Sequence, residues 1–310
     1  MSVTNFDRII NSLQVRYAKG SIREVIKPAQ LYKSYEQKNI LVQHNAGDFF
    51  AGENYSRLSN NSFYFMPAGQ SIYFRHGNSD QYKEFTKDGF PSREEREEYL
   101  KPISIQQEID NEKDVFSILG FDVLIYGAIP FFSILELPCI FIPYDEEMNY
   151  LMRNIILEDE MQKIGKMSLI DNLTKEVTIH ICRHIHSRPE YQRSIEKLDF
   201  LLDRRLVNII SHIQEHLEKD LSNETIASLA YVSKDYVGQF FKTLTRNNLQ
   251  EYIENQRLEK AHYLLRTTRD SVQEISHQVG FKDPAYFSRR FKLKFSVNAN
   301  QLRKHENIIN

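Results

Sequence analysis

Near the C-terminal end, side chains suited to gripping a polyanion fall on one side of a helical repeat. Residues 281–304 hold seven Lys/Arg and one acidic residue. Pro284, Ala285, Ser288, Arg289 and Lys292 share one helical face, opposite Phe287 and Phe291. A guanidinium at Arg289 donates two parallel hydrogen bonds to guanine O6 and N7, or pairs with a phosphate. Lys292, Lys294 and Arg290 suit phosphate contacts or structural roles. The arrangement occurs once before. Lys234, Asp235, Tyr236, Gln239 and Lys242 lie across from Val237, Phe240 and Phe241. Taken alone, these are also the ordinary exposed residues of a helical bundle.

Charge places these groups in context. The 310 residues carry 40 Lys/Arg and 42 Asp/Glu, a net of −2. That excludes a case for nucleic acid from the whole chain. Residues 201–310 alone hold 17 basic and 13 acidic residues, so a basic end follows an acidic body.

Other residues raise metal and redox chemistry. His180, Cys182, His184 and His186 lie close together. On one helix His180 and His184 share a face, and Cys182 and His186 share another, so the four cannot converge on one ion. Between Ile40 and Ile142 the only histidines are His44 and His76, with no His-x-His pair to hold a catalytic metal. The expectation is no metal, no cofactor and no enzyme. Cys139 and Cys182 are the only cysteines, too few for a disulfide framework, and a reduced cytosol is the plainer setting. Met1–Arg8 is polar and no apolar run follows, so no secretory leader is expected. The apolar stretch 115–144 contains Asp122, Glu136, Pro130 and Pro138, and reads as buried strands rather than a membrane span.

The elements that must position these residues follow from periodicity. From Ile40 to Ile142, Tyr, Phe, Ile and Val alternate with polar residues. Turn clusters at His44–Asp48, Ser59–Ser62 and Arg75–Asn78 interrupt them, predicting a sandwich or barrel. The charged run Arg93–Glu98 predicts a solvated helix. After Pro143, Met148, Leu151, Ile155 and Ile156 recur at helical spacing, as do Leu169, Leu173, Val177, Ile181 and Ile185. Pro189 then ends the second helix, and residues 188–197 look like a linker.

The C-terminal part is helical almost throughout. Ser222 caps a short helix bearing Ile226, Leu229 and Ala230. Val232-Ser233 forms a turn, and a second helix follows. The pattern repeats with Ser271 as cap, Val272 and Ile275 inward, and Val279-Gly280-Phe281 as the turn. Asp283-Pro284 then opens the next helix. Two helix-turn-helix units result. Leu249–Arg266 joins them as one helix of ~18 residues, roughly 27 Å long. That is near the ~34 Å between successive major-groove faces of B-DNA.

Here the chain resembles the AraC/XylS family of bacterial regulators. The carrying residues are Ala227-Ser228-Leu229-Ala230, Phe241-Lys242, Arg257-Leu258-Glu259-Lys260-Ala261-His262-Tyr263-Leu264-Leu265, and above all Val279–Lys292. The family signature there is close to G-F-x-D-x-S-Y-F-S-R-x-F-K, with its first serine replaced by Ala285. The resemblance spans Leu206–Arg303. Two departures are plain. Arg246–Leu249 and Ser296–Ala299 lack the Gly and Pro usual after each Phe-Lys, and Leu302 replaces a tyrosine. The missing residues shape turns rather than read bases.

The resemblance implies an α+β multidomain fold: an N-terminal cupin-like β-barrel with flanking helices, and a C-terminal all-α tandem helix-turn-helix module. Expected boundaries are 1–145 for the barrel, 146–187 for a dimerising helical pair, 188–200 for a linker and 201–310 for the DNA-binding module. Leu58–Gln70, with Pro67-Ala68-Gly69, resembles the cupin segment of the family. Tyr55, Arg57, Tyr64, Tyr73 and Arg75 are the expected lining of a small-molecule pocket, a barrel filled by its own side chains being the alternative. Ile155, Leu169, Leu173 and Val177 are the expected dimer contacts. The implied function is a sequence-specific cytoplasmic regulator of double-stranded DNA. It is an activator working with RNA polymerase, a homodimer, controlled by a small effector. The alternatives are control by a protein partner with no small-molecule ligand, and a cupin-like enzyme fused to a DNA-binding module.

Overall fold

In the computed structural model, which describes residues 3–35, 38–77, 81–85, 93–107, 113–127, 129–295 and 297–302, the period-two stretches are strands. Asn78 of one expected turn, Ser296 and residues 303–310 lie outside the described residues. The chain divides into two units, Met1–Ile125 with Pro130–Leu198, and Tyr126–Ile129 with Asp199–Asn310.

The first unit is built on two sheets. Its strands are β1 (Leu13–Val25), β2 (Ala29–Tyr35), β3 (Asn39–Ala46), β4 (Phe49–Ala51), β5 (Ser56–Arg57) and β6 (Phe63–Met66). They continue with β7 (Ser71–His76), β8 (Lys83–Phe85), β9 (Leu100–Ile103), β10 (Val115–Ile125) and β11 (Ile140–Ile142). One sheet runs β11-β6-β3-β10-β1-β9 and the other β5-β4-β7-β2-β8. Pairing is antiparallel except between β2 and β8. The shared core takes Ile40 and Val42 from β3, Tyr64 and Met66 from β6, and Phe116 from β10. Against them stand Phe49 and Ala51 of β4 and Ile72 and Phe74 of β7. Alternation sets this choice, because every second side chain of a strand faces one side. The tight turn between β3 and β4 needs Gly47: its φ is +82°, and a Cβ there would fall 1.9 Å from Asp114 Oδ1.

β3 and β10 are buried along most of their length because the larger sheet is covered on its second face too. The cover is α4 (Glu146–Glu160) and α5 (Lys166–His186), which follow α1 (Val3–Asn11), α2 (Arg93–Tyr99) and α3 (Phe131–Leu135) in the chain. Gln43 Nε2 donates to Asn149 Oδ1 of α4 at 2.7 Å, and Tyr17 N–H of β1 donates to Asp171 Oδ1 of α5 at 2.8 Å. Asp145 caps α4 by accepting from Met148 N.

Two expectations change here. The first turns of α5 bury Ile170 and Thr174, not Leu169 and Leu173; Leu169 is 47% exposed. The stripe is rotated by one residue because threonine is acceptable inside. Thr174 Oγ1 donates to the Ile170 carbonyl at 2.7 Å and Thr178 Oγ1 to the Thr174 carbonyl at 2.9 Å, satisfying both hydroxyls. The expected linker 188–200 is instead structured. A 3-10 turn, Pro189–Tyr191, leads into α6 (Gln192–Glu196), with Ile195 and Leu198 fully buried. Polar composition hid the two apolar anchors.

The second unit holds α7 (Arg204–Glu215), α8 (Asn223–Ala230), α9 (Lys234–Thr245), α10 (Leu249–Thr267), α11 (Val272–Gln278) and α12 (Pro284–Phe295). Caps start most of them. Asp203, Ser222 and Asn248 accept from backbone N–H groups, and Ser271 with Glu274 forms a capping box. Ser233 stands before α9 without a capping bond. Among the described residues no helix is long and apolar enough to cross a membrane.

Candidate nucleic-acid interface

Each helix pair buries one face and leaves the other to solvent. In α9, Val237, Phe240 and Phe241 are buried, while Lys234, Asp235, Tyr236, Gln239 and Lys242 are all exposed. Lys234 Nζ stands 3.4 Å from Glu224, and Gln239 donates to Thr243 Oγ1 at 3.2 Å; both contacts are solvent-exposed and easily exchanged. Arg205 of α7 lies over the Phe240 ring at 4.6 Å, closing the inner side of the helix.

In α12, Phe287 and Phe291 are fully buried, Pro284 is half-buried, and Ala285, Ser288, Arg289 and Lys292 are exposed. Asp283 Oδ1 accepts from Ala285 N at 2.8 Å, and Pro284 is the first helical residue, as the sequence led one to expect. The basic residues of this helix divide into two sets. Arg290 is bound to Glu254 of α10, which also accepts from Tyr286 Oη at 2.5 Å. Lys294 donates to the Asn255 carbonyl at 3.2 Å and pairs with Glu259 at 3.2 Å. Arg289 and Lys292 have no carboxylate partner among the described residues. Of the two roles open to Arg290 and Lys294, these contacts supply the structural one.

α10 carries both halves. Tyr252 near its start is 1% exposed, with its ring 5.2 Å from Phe241 of the first pair. Leu258, Ala261 and Leu265 further along pack with Ile275, Phe287 and Phe291 of the second. Arg257, between them, donates through Nε to the Leu217 carbonyl at 2.8 Å and through Nη2 to that of Lys219 at 2.9 Å. Burial holds its guanidinium below the usual arginine range. Gly280 adopts φ +92°, and a Cβ there would fall 2.4 Å from the Leu217 oxygen. One feature of the surface was invisible to periodicity. Tyr231, in the turn between α8 and α9, is 93% exposed with φ +54°. Nothing in a tyrosine's type announces a left-handed conformation.

The residues expected to line a pocket in the first unit do not face one space. Tyr64 lies in the core between the sheets, and burial pushes its phenol up. Tyr73 and Arg75 fall at the other positions of β7, on the outer face of the smaller sheet, with Tyr55 beside them. Arg57 is exposed and pairs with Asp48 at 2.6 Å. The space between the sheets holds the rings of Phe49, Phe74, Phe116, His44 and His76. A groove of about 680 Å³ lies elsewhere, lined by Asp145, His180, Arg183, His184 and Arg188 at the helical pair. Ile155 and Val177, expected as dimer contacts, are fully buried within their own unit, so neither offers surface to a second copy.

The His/Cys cluster separates as helical geometry requires. His180 sits 3.6 Å from Asp145 and 3.3 Å from Glu147. Cys182 is fully buried, and burial pushes its thiol up. His186 stacks on Phe6 at 5.3 Å. Among the described residues no three His, Cys, Asp or Glu side chains converge as a metal site.

Comparison with known proteins bears on this interface. A family model described as a helix-turn-helix domain matches residues 226–305. The regulatory protein SoxS of Salmonella typhimurium (strain LT2) is 33% identical over 95 residues, 31% of this chain and 89% of that protein. The HTH-type transcriptional activator RhaS of Enterobacter sp. (strain 638) is 32% identical over 102 residues, 33% of this chain and 37% of that protein. The chain thus matches little more than a third of the length of that activator. The structure of unsaturated fatty acid-bound ToxT from Vibrio cholerae aligns with 94% of this chain and 95% of its own, at 11% identity and a TM-score of 0.39.

Proposed function

We propose, from the premise that this chain belongs to the AraC family of helix-turn-helix regulators, that it activates transcription by reading DNA through α9 and α12. The observation that carries this is the division of charge on α12. Arg290 and Lys294 are tied to α10, while Arg289 and Lys292 are left exposed, without a carboxylate partner among the described residues, on the face turned from the core. Desolvating an arginine that already has a carboxylate partner costs energy; one kept without a partner is ready for guanine or phosphate. The likeness to the activator RhaS supports activation, in which RNA polymerase is the further partner.

The first unit has a controlling role in this reading, through a small effector. The role is regulatory rather than catalytic, in keeping with relatives that are transcriptional regulators. Self-association belongs to the proposal through the exposed start of α5, where Met167 and Leu169 present apolar surface.

The test is selection by the full chain from a pool of random duplexes at two salt concentrations. Enrichment of two short boxes about one helical turn apart is the expected result. Weak, sequence-blind binding abolished by modest salt would reduce the interface to an electrostatic patch.

A further inference from the structure

The outer face of the smaller sheet carries an aromatic layer where strand alternation would place polar residues. Its register is legible residue by residue. Arg57 of β5 pairs with Phe50 of β4, Phe50 with Arg75 of β7, Arg75 with Gln30 of β2, and Gln30 with Glu84 of β8. The two ends of this row are already engaged: Arg57 pairs with Asp48, and Glu84 accepts from Gln30 Nε2 at 3.0 Å. Arg75, in the middle, has no carboxylate partner among the described residues. Its guanidinium is instead boxed by rings, with centroids 4.4 Å away for Phe50, 5.0 Å for Tyr82 and 5.5 Å for Tyr55. Its Nε is buried without an acceptor. Beside it Tyr73 is 9% exposed, edge-on to Tyr32 at 5.5 Å and to Tyr55 at 6.5 Å.

We propose that this Arg75 box binds a small organic carboxylate with a flat apolar body. The rings hold the guanidinium plane in place, and a fixed guanidinium pairs with a carboxylate through two parallel hydrogen bonds. The tyrosine floor offers the adjoining apolar surface for stacking. An inorganic anion would use the charge and ignore the floor. An acidic ligand is selected over a neutral one because the guanidinium has no carboxylate partner among the described residues, and Glu84 of the same row accepts from Gln30. The site lies outside the space between the sheets. For its regulatory consequence alone it rests on the effector reading given above.

Benzoate is the simplest probe of this chemistry, with benzamide as its neutral isostere and inorganic phosphate as a bare anion. Ligand-observed NMR on the full chain, without DNA, should give saturable benzoate binding. Benzamide and phosphate should each bind at least about tenfold more weakly, the difference expected of one charge-assisted pair. Arg75→Gln should abolish the preference for benzoate over benzamide. Arg75→Lys, which keeps the charge and loses the fork, should retain part of it. Thermal melts of both variants report folding, and the benzoate/benzamide comparison on the unaltered chain stands even if they unfold. Absence of saturable benzoate binding, equal binding of benzamide or phosphate, or full preference in folded Arg75→Gln would overturn the proposal. Benzoate binding that leaves duplex affinity unchanged would uphold the site and remove only the effector reading.

Discussion

At the residue scale, the interface makes two arginine and lysine substitutions distinguishable. Arg289→Ala should weaken binding to the preferred duplex by about 1–3 kcal/mol and relax preference within one box, the mark of a lost bidentate base contact. Lys292→Ala should weaken all duplexes alike and lower the salt slope by about one, the mark of a lost phosphate contact. Fluorescence anisotropy over a salt series separates the two; a uniform loss for both would withdraw the base-reading role from Arg289. Tyr231 makes a prediction of opposite sign. It holds φ +54° as the C-cap of α8 while 93% exposed, and a left-handed conformation costs a side-chain-bearing residue ~1–2 kcal/mol. Tyr231→Gly should therefore raise the urea midpoint, since glycine adopts this conformation without steric penalty. An unchanged or lowered midpoint would mean that contacts of the ring outweigh the strain. Gly280 was readable from sequence because glycine is the residue such a turn calls for, whereas Tyr231 was not, because its strain is set by backbone geometry alone. The exposed side chains of α9 and α12 were legible as exposed for a simple reason. Their apolar partners Phe240, Phe241, Phe287 and Phe291 fix which side of each helix faces out.

At the element scale, α10 is the member on which both helix pairs depend, and its Arg257 holds the segment after α7 through the Leu217 and Lys219 carbonyls. Arg257 Nε donates to the Leu217 oxygen at 2.8 Å, and the same oxygen is the closest atom to any Cβ added at Gly280. Arg257→Ala leaves the Leu217 and Lys219 carbonyls without this donor and should cost about 1–3 kcal/mol. Gly280→Ala combines a positive φ with a 2.4 Å clash and should cost at least about 1 kcal/mol. Because both act on the same contact, the double variant should lose less than the sum, measured by urea denaturation of the second unit. Strict additivity would show that Arg257 and Gly280 stabilise independently. The long helix was legible as one apolar stripe, but its division into two half-faces was not. Tyr252 packs against Phe241 of one pair and Leu258, Ala261 and Leu265 pack with the other, which a single stripe cannot express. The rotation of α5 was hidden for a related reason. Threonine counts as polar in a periodic pattern, yet Thr174 and Thr178 satisfy their hydroxyls on their own helix and pack inward.

At the scale of the whole molecule, each unit has its own core, and acid acts on them through different groups. Strand alternation made the two-sheet unit readable in kind, but not the parallel β2–β8 pair or the filling of the space between the sheets. That space holds His76, whose ring lies parallel to Phe116 at 5.6 Å and against Phe49 at 5.9 Å. Buried among aromatic rings, with Nδ1 unpartnered, its imidazole is pushed down from 6.5 to about 4. The unfolded chain thus binds a proton between these values that the folded unit refuses. Stability is full above pH 6.5 and falls as pH drops toward 4, by roughly 3 kcal/mol if His76 acts alone. His184 and His212 are lowered in the same direction but are more open to water, so a variant is needed to isolate the buried group. His76→Phe keeps a ring in the stack and cannot titrate. Hydrogen exchange at pH 7 and pH 5 should show β4, β7 and β10 losing protection in the unaltered chain and holding it in His76→Phe, with α10 little different between the two proteins. Equal loss in both proteins would place the acid sensitivity on groups other than His76.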